Sequence, residues 1–439
     1  MLLVPVVAVR MGVQTSSAQW VITLNLLVGA VVAPTVGRLS DGPHRKRLLV
    51  VCLALTAAGS VVAALAGSLS VLLVGRALQG FAYGLVPGAI AVARQHLPRE
   101  RTAKAIATLS ITVAMGLGFG YPLTGLTVGT LGLGGAFWVA LGLVLVGLVV
   151  VLRLVPPDQA GERRPFDLPG ALWLSGVLVA LVLAITQAPR WGWASPGTGV
   201  LTGVAAVCAW SWVRGARRTT TAFVDLASLR VRDVAATHLG ALALASTVYA
   251  AMSTSSLVVQ APTSTGYGLE VSVLVAGLVI LPLSVGSIAA NQVLRLALPR
   301  CRATTLLAAG AAVLLVGNAS LLVVRSSLGP LVAGMAVVGL GMGLVFGSAP
   351  VVVARGVPRG EVGSAVSLNQ VLRTVGGLLG SAATGSVFAA TSTDLGFPSA
   401  GGVRLAHMGA VLVAGVCALG LAAVWFVHPA GGHGAEPSS

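Results

Sequence analysis

The feature that most constrains this chain is a series of long apolar segments separated by short loops. The segments lack the regular alternation of half-buried strands, and most match the roughly 20 residues that a helix needs to cross a bilayer. Of 439 residues, 56% are hydrophobic and only 9% are charged, whereas a soluble protein carries about 25% charged residues. The sequence therefore predicts a helical membrane protein with many spans and excludes a soluble or a disordered chain.

Turn and charge signals divide the chain into fourteen predicted spans. They cover residues 1–9, 19–37, 47–66, 69–93, 104–128, 134–154, 168–188, 197–213, 234–259, 270–293, 303–324, 328–353, 362–389 and 405–427. The first has only nine apolar residues before Arg10 and is too short to cross a bilayer. Either this first helix is a truncated remnant, or the true start of the protein lies upstream of Met1.

The basic residues predict the orientation of these spans. If the loop at 38–47 is cytoplasmic, 21 of the 27 lysine and arginine residues lie on the cytoplasmic side and 4 on the other side. This asymmetry is typical of plasma-membrane proteins, whose cytoplasmic loops are basic. It also explains the net charge of +16 without nucleic acid as a partner, because the charges form short separate clusters and no basic domain.

The two halves of the sequence resemble each other at a spacing near 260 residues. Gly80 and Gly84 match Gly339 and Gly343 at an offset of 259, and further matches follow through the next loop and helix. Many secondary transporters are built from such repeats, with a substrate site near mid-membrane between them. The alternative is a duplicated helical bundle without transport.

A basic cluster follows the second predicted span. Gly37, Asp41, Arg45 and Lys46 fit the pattern Gly-x-x-x-Asp-Arg-x-Gly-Arg-Arg, and the stretch resembles the cytoplasmic signature of the major facilitator superfamily. Gly42 replaces a basic residue of that signature. The resemblance implies a conformational latch, in which Asp41 pairs across the two halves or caps a helix. From charge alone the stretch is a solvated positive-inside loop.

Arg76 lies inside the fourth predicted span. An arginine in the hydrocarbon costs at least about 2.5 kcal/mol, which makes it a candidate functional residue. The sequence Gly75-Arg76-Ala77-Leu78-Gln79-Gly80 resembles the superfamily's Arg-x-x-Gln-Gly motif, which is implicated in proton transfer. The alternative is an arginine that extends to the membrane surface.

The fifth predicted span contains glycines at helical spacing and a proline. Gly116, Gly120, Pro122 and Gly125 resemble the exporter-specific motif Gly-x-x-x-Gly-Pro-x-x-Gly-Gly, although Tyr121 occupies the proline position of that motif. The pattern predicts a helix bend and close contact with a neighbouring helix. Ordinary packing of small residues is the alternative.

The stretch from Pro358 to Gly385, which includes Asn369 and Arg373, looks like the penultimate helix of the fourteen-helix drug:proton antiporter family. That resemblance covers essentially the whole chain. It implies an all-α, polytopic transmembrane bundle with the major facilitator fold: two pseudo-symmetric six-helix halves, two central linker helices and a truncated first helix. The predicted parts are an N-terminal half at 1–154, a linker at 155–233, a C-terminal half at 234–427 and a disordered tail at 428–439.

Arg373 lies near the middle of its predicted span, and its counterpart in the first half is Val113. Packing symmetry therefore does not require an arginine there, and we expect Arg373 to face a cavity. Six other polar residues could line the same path or make hydrogen bonds between helices. They are Asn25, Gln79, Tyr83, Tyr249, Gln260 and Asn291.

All eleven acidic residues lie in loops, tails or span ends, although a proton carrier normally needs a titratable group inside the membrane. His238, near the inner end of a span, is a candidate because histidine titrates near neutral pH. Two buried arginines without a carboxylate would also favour an anionic substrate or counter-ion.

Enzymatic and ATP-driven functions find no support in the sequence. The two lysines, Lys46 and Lys104, do not belong to a Gly-Lys-Ser/Thr phosphate loop. The four cysteines are far apart, so neither a metal site nor a disulfide framework is predicted, and no cofactor is implied.

The leading hypothesis is a monomeric, multi-pass plasma-membrane transporter that exports small amphipathic compounds in exchange for protons by alternating access. A transport-deficient membrane sensor or scaffold, left by loss of the first helix, is the second hypothesis. An uptake carrier of the same fold is the third. The upstream reading frame would separate the first two.

Overall fold

The computed structural model describes residues 3–40, 42–158, 167–218, 231–323, 327–357, 362–394 and 396–427. These residues form fifteen α-helices and no strand. The helices are α1 Leu3–Met11, α2 Thr15–Ala18, α3 Trp20–Leu39, α4 Arg45–Ala64, α5 Leu69–Gln79, α6 Leu85–His96, α7 Arg99–Leu154, α8 Leu168–Trp191, α9 Pro196–Arg218, α10 Arg232–Gln260, α11 Val273–Ala297, α12 Ala303–Val323, α13 Leu328–Gly356, α14 Val362–Ala390 and α15 Ala400–Ala422. The predicted all-α fold class is confirmed. The predicted tail 428–439 and Asp41 lie outside the described residues.

Eleven helical segments among the described residues are long and apolar enough to cross a membrane. The predicted short first span is the nine-residue helix α1. Two other predicted spans, 104–128 and 134–154, belong to the single long helix α7, which leaves helical geometry at Gly132 (φ 72°, ψ −178°). Only glycine adopts this conformation without strain, so the boundary between the two spans depends on that residue.

Several helices begin at a side chain that caps them. Oδ1 of Asp167 accepts the backbone N–H of Gly170 at 2.8 Å at the start of α8, and Oγ of Ser399 accepts that of Gly402 at 3.2 Å before α15. The first amide groups of a helix have no partner within the helix. These caps therefore fix the helix starts next to the loops.

The sequence repeat corresponds to the same close helix packing in both halves. A Cβ atom added at Gly80 would lie 2.6 Å from Cβ of Val28 in α3, and one added at Gly339 would overlap the carbonyl of Leu283 in α11. Because any larger residue would force the helices apart, the matched glycines set the helix spacing in each half.

Two hydrophobic cores stabilise the bundle. One is built mainly from the helices α10 to α13, with Leu421 of α15, and centres on Leu283, Leu307, Leu314 and Met335. The other centres on α3 and also includes Leu378 of α14, so it extends from the first into the second half. Helices α1 to α7 are called the first half and α10 to α15 the second half.

The helix α8 lies along α14. Ala171 and Leu368 pack together near the start of both helices, and Oγ of Ser386 donates a 2.6 Å hydrogen bond to the carbonyl of Ile185 near their ends. The two helices therefore run in the same direction along most of their length. This contact places the linker region beside the second half.

Candidate functional site

The beginning of α3 contacts the second half through one amide. Nε2 of Gln19 donates to Oγ of Ser253 at 3.1 Å and to Oγ of Ser381 at 3.0 Å. A Cβ atom at Gly385 would lie 2.9 Å from Cγ of Gln19, so a glycine is needed for this approach. By the predicted orientation these residues lie in the outer half of the membrane, and we call Gln19, Ser253 and Ser381 the outer clasp.

The helices α7 and α11 form a second contact between the halves. A Cβ atom at Gly125 would lie 2.8 Å from the carbonyl oxygen of Val273, and one at Gly277 would lie 2.7 Å from that of Tyr121. Backbone therefore packs directly against backbone here. This contact also lies in the outer half of the membrane by the predicted orientation.

The other residues of the predicted exporter motif do not take part in that contact. Cβ atoms at Gly116 and Gly120 would have nothing within 4 Å among the described residues. The backbone keeps helical dihedral angles through Pro122, and the non-helical residue of α7 is Gly132. A functional bend at Pro122 stays a prediction.

Arg76 is held by hydrogen bonds within the first half. Its Nε donates to the carbonyl of Val21 at 3.0 Å, and its Nη1 donates to Oε1 of Gln79 at 2.6 Å. Nε2 of Gln79 in turn donates to Oγ of Ser60 at 2.9 Å. The side chain of Arg76 thus points into the bundle, and its charge is part of a polar chain across α3, α5 and α4.

Asn25 contributes to the same region. Its Nδ2 donates to the backbone carbonyl of Arg76 at 3.0 Å, and the side chain is 8% exposed. This is a hydrogen bond between helices, which is the common use of a polar residue inside a membrane. Asn25 and Gln79 therefore both orient the segment that carries Arg76.

Three of the four tyrosines of the chain form a cluster between the halves. The phenol groups of Tyr83 and Tyr249 lie close to each other, and Tyr121 lies within electrostatic range of both residues. Glycines make room for two of the rings, since a Cβ at Gly29 would lie 2.5 Å from Cδ2 of Tyr83 and one at Gly377 would lie 2.8 Å from Cε2 of Tyr249. We call Tyr83, Tyr121 and Tyr249 the tyrosine cluster.

Arg373 of α14 adjoins this cluster. Its Cζ lies 3.7 Å from the ring centroid of Phe346 in α13, which is a close cation–π contact. It also interacts electrostatically with Tyr249. Its Nε is buried and has no hydrogen-bond partner among the described residues. In this respect Arg373 differs from Arg76, whose Nε and Nη1 both donate to acceptors of the protein.

His238 lies away from the tyrosine cluster, near the start of α10. Its Nδ1 is 3.2 Å from Nδ2 of Asn369 in α14, and both side chains are almost fully buried. Nε2 of His238 and Oδ1 of Asn369 have no partner within the described parts of the chain. The pair joins two helices of the second half.

The predicted latch region connects the ends of two helices in the first half. Nζ of Lys46 donates to the carbonyls of Leu152 and Val155 at 3.0 and 2.7 Å, at the end of α7. Oδ1 of Asp158 accepts the backbone N–H of Lys46 at 2.8 Å, at the start of α4. Each charge therefore stabilises the helix end of opposite polarity.

The other members of the signature have smaller roles in the described structure. Nε of Arg45 donates to the carbonyl of Ser40 at 2.7 Å. A Cβ at Gly37 would lie 3.5 Å from Cβ of Pro87, an ordinary contact. The contacts of Asp41 lie outside the described residues.

Two predicted cavity residues lie apart from the central group. Gln260 is the last residue of α10, and its Nε2 donates to the carbonyl of Ser256 in the same helix at 2.9 Å. Asn291 lies beside Gly347, towards the inner end of α11. The structure therefore brings together Asn25, Gln79, Tyr83 and Tyr249 but neither Gln260 nor Asn291.

A cavity of about 180 Å³ lies beside the outer clasp, between α3, α5, α8 and α14. Its polar lining includes Gln19, Thr23 and Gln187. Among the described residues no group of three or more metal-binding side chains is found. The described lining of this cavity is thus partly polar and carries no charged side chain.

Comparison with known proteins decides the family. The sequence model of the Major Facilitator Superfamily matches residues 1–381. The chain belongs to the major facilitator superfamily. As a member of this superfamily it is a multi-pass transporter of small molecules in the plasma membrane, and not an enzyme.

Relatives within the superfamily include proteins of Mycobacterium, Mycolicibacterium and Streptomyces. The chain is 29% identical over 375 residues to the multidrug resistance protein Stp of Mycobacterium tuberculosis, covering 85% of this chain and 69% of that protein. It is 30% identical over 394 residues to a triacylglyceride transporter of Mycolicibacterium smegmatis, covering 83% and 67%. It is 29% identical over 407 residues to a probable actinorhodin transporter of Streptomyces coelicolor, covering 88% and 68%.

Solved structures of other superfamily transporters confirm the fold. The POT family transporter PepTSo superposes with a TM-score of 0.64 at 17% identity, covering 94% of this chain and 90% of that one. The human organic anion transporter MFSD10 superposes with a TM-score of 0.62 at 16% identity, covering 95% and 88%. At such identities the likeness concerns the fold alone.

Sequence reasoning missed several residues that join the halves of this superfamily member. Gln19 precedes a long apolar run and has the appearance of an ordinary helix start, while Ser253 and Ser381 lie among many small residues. Phe346 is an apolar residue in an apolar helix. No local pattern marks such residues, because their role depends on a partner more than a hundred residues away.

Proposed function

We propose that the protein exports small amphipathic compounds from the cell in exchange for protons. The relatives named as multidrug resistance and efflux proteins support export. The resemblance of the segment from Gly116 to Gly125 to an exporter motif supports the same direction. The predicted division into halves at 1–154 and 234–427, with a linker at 155–233, is part of this proposal, and so is a monomer as the working unit.

The observation that carries the proposal is the pair of contacts between the halves in the outer part of the bundle. The outer clasp and the contact of Gly125 with Val273 both lie there. They support a state that is closed to the outside. Alternating access then requires these contacts to break while the halves rock, so that a bound compound is released outward.

The space for the compound is, in this proposal, lined by the tyrosine cluster together with Arg76 and Arg373. Each of these side chains lies deep in the bundle but retains part of its accessible surface. Partly accessible groups far from the protein surface support an internal chamber. Aromatic walls with a few polar groups suit amphipathic compounds.

Proton coupling requires a group that gains and loses a proton during the cycle. The described carboxylates lie at helix ends or in loops, such as Asp158 and Asp233. His238 is the candidate inside a span, and its bond to Asn369 lets a change of protonation alter the packing of α10 against α14. Arg76 and its polar chain to Ser60 are the candidate for relaying the charge state within the first half.

In this proposal the latch is formed by Gly37, Asp41, Arg45 and Lys46. What supports it is the resemblance together with the ordered contacts of Arg45 and Lys46 at the helix ends. A latch of this kind acts by stabilising one of the two conformations of the transporter.

Ethidium accumulation in cells that lack their own efflux pumps tests the function. Cells that express the protein are expected to accumulate less dye, and a protonophore is expected to abolish the difference. The Arg404→Gln variant removes an exposed arginine and serves as a control that keeps the activity. Unchanged export after collapse of the pH gradient would remove proton coupling, and increased accumulation would favour an uptake carrier.

A further inference from the structure

Arg373 carries a cation inside the membrane without a hydrogen-bonding partner in the described structure. Its Nε is buried and unpaired, and its terminal nitrogens make no hydrogen bond to a described residue. A guanidinium has five N–H donors and stays charged in proteins. An unpaired buried charge is costly unless a partner neutralises it.

The contrast with Arg76 separates a structural role from a binding role. Arg76 donates to Val21 and Gln79, which are parts of the protein. Arg373 instead has the ring of Phe346 on one face at 3.7 Å, which leaves its donors free for a planar acceptor. The repeat gives the same conclusion, since Val113 occupies the equivalent position and helix packing therefore does not need an arginine.

No acidic side chain among the described residues is a counter-ion of Arg373. The described acidic side chains are at helix ends or in loops between helices, namely Asp158, Asp167, Asp233, Glu270 and Asp394. An anion bound in the chamber would supply the partner that the described residues do not provide. Carboxylates, sulfonates and phosphates are the acceptors that arginine binds with two parallel hydrogen bonds.

The neighbours of Arg373 define the rest of that ligand. Phe346 covers the guanidinium, Tyr249 interacts with it, and Gly377, one turn along α14, makes room for the Tyr249 ring. An aromatic or otherwise flat apolar group would fit beside these rings. The anion and the apolar group would therefore belong to one amphipathic molecule.

We propose that Arg373 binds the anionic group of the transported compound, so that amphipathic organic anions are a substrate class of this transporter. That the bound compound is also transported rests on the proposed export function. Binding itself can be tested without export. Arg373 is thus a specificity-determining residue, whereas Arg76 holds together helices of the first half.

Binding is tested with the full chain in nanodiscs of phosphatidylcholine, using isothermal titration calorimetry. The probes are 1-naphthalenesulfonate, neutral 1-naphthalenemethanol and cationic 1-naphthylmethylammonium, which share one ring system. The sulfonate is expected to bind most tightly, and Arg373→Gln is expected to weaken it about ten- to hundred-fold, as for a lost charge-assisted hydrogen bond. The neutral probe is expected to be little affected.

Two further variants keep the test valid if Arg373→Gln does not fold. Arg373→Lys keeps the charge but loses the planar pair of donors, and an intermediate loss of sulfonate affinity is expected. Arg404→Gln removes an exposed arginine and should leave all three affinities unchanged. Equal affinity of the three probes for the unmodified protein, or unchanged sulfonate binding by both Arg373 variants, would overturn the inference.

An anionic lipid headgroup offers the same chemistry as a soluble anion. The titration is therefore repeated with phosphatidylglycerol in the nanodisc. Sulfonate binding that persists supports a soluble substrate, and binding that phosphatidylglycerol suppresses assigns Arg373 to a lipid and overturns the inference. In cells, export of ethidium without export of fluorescein would contradict the anion assignment, whereas export of neither dye would contradict the proposed function.

Discussion

Gln19 donates a hydrogen bond from Nε2 to Oγ of Ser381 at 3.0 Å, and the two residues belong to opposite halves of the transporter. Both side chains are buried, and the same amide nitrogen also reaches Ser253. A hydrogen bond inside a bundle is costly to break when its groups find no other partner. This amide is therefore placed where it can hold the outer side closed.

Gln19→Ala is expected to open the outer side more often. The change removes hydrogen bonds worth about 0.5–1.5 kcal/mol each, so the closed state loses population. A cysteine at Ala382, which is buried beside the outer cavity, reports the opening in a background without native cysteines. Its labelling by a membrane-impermeant maleimide should become about five- to hundred-fold faster, as the loss of two such bonds implies.

Gln260→Ala is the matched control for that experiment. Gln260 is also a glutamine near the outer end of a helix, but its amide donates to Ser256 of its own helix. Its loss should leave the labelling rate unchanged. Equal labelling rates of the Gln19 and Gln260 variants would contradict a clasp.

Gly277→Ala is expected to separate α7 from α11. The new methyl group would lie 2.7 Å from the carbonyl oxygen of Tyr121, and that backbone cannot yield as a flexible side chain would. We expect a loss of about 1–3 kcal/mol of stability, as for an overpacked core. Thermal unfolding in detergent measures it, with transport assays alongside.

Gly116→Ala is the matched variant in α7. Nothing described lies within 4 Å of its added Cβ, so alanine should be neutral or should stabilise the helix by up to about 1 kcal/mol. If Gly116→Ala destabilised the protein as much as Gly277→Ala, the packing explanation would be wrong.

Gln79→Leu is expected to disturb Arg76. The change leaves Nη1 of Arg76 and Oγ of Ser60 without their partner inside the membrane. The cost should be about 2–3 kcal/mol, because hydrogen bonds to charged groups are the stronger ones. Combining it with Arg76→Met in a double-mutant cycle should recover part of this loss, and strictly additive effects would argue against coupling.

Hydrogen bonds to Glu270 in the outer loop at 261–272 should make the stability of the protein depend on pH. The backbone N–H of Thr263 donates to Oε2 of Glu270 at 3.1 Å, and the hydroxyl group of Thr263 donates to the same atom at 2.8 Å. The backbone bond, followed by the hydroxyl bond, lowers the pKa of Glu270 because both stabilise the carboxylate. Because the folded-state pKa is depressed, the stabilisation is present above the unfolded-state value and disappears as the pH falls through the folded-state pKa.

Glu270→Gln should therefore lower the thermal stability at neutral pH and match the unmodified protein in strong acid. Melting curves between pH 3 and 7 measure this convergence. Asp394→Asn is the control, because the Asp394 carboxylate accepts no hydrogen bond within the described ranges. A pH-independent difference for Glu270→Gln would contradict the assignment.

The sequence predicted the helices well because each one must satisfy its own backbone hydrogen bonds and bury its own apolar length. Even the break in α7 was visible, since Gly132 falls between two predicted spans. The matched glycines also predicted close packing, as Gly80 and Gly339 show. Local composition is enough for such features.

The contacts between the halves could not be predicted in the same way. Gln19 and Ser381 are 362 residues apart, and nothing near either residue specifies the other. Asp158 lies in a loop, as expected, but its role as a cap of α4, more than a hundred residues earlier, is not predictable from its neighbours. Conversely, the polar side chain of Gln260 in an apolar span predicted a place in the cavity, but its amide donates to Ser256 in its own helix. Polarity indicates that a partner exists, and only the fold identifies it.

His238→Gln is expected to uncouple transport from the pH gradient. Glutamine can still pair with Asn369, so the contact of α10 with α14 is kept, but it has no group that titrates near neutral pH. In liposomes we expect dye movement down its own gradient to be retained, whereas the acceleration by an imposed pH gradient should fall at least about tenfold. His407→Gln is the control, since that buried histidine lies 3.2 Å from the carbonyl of Val403 in its own helix and should not affect coupling. If both variants kept the acceleration, the proton would have to bind elsewhere in the transporter.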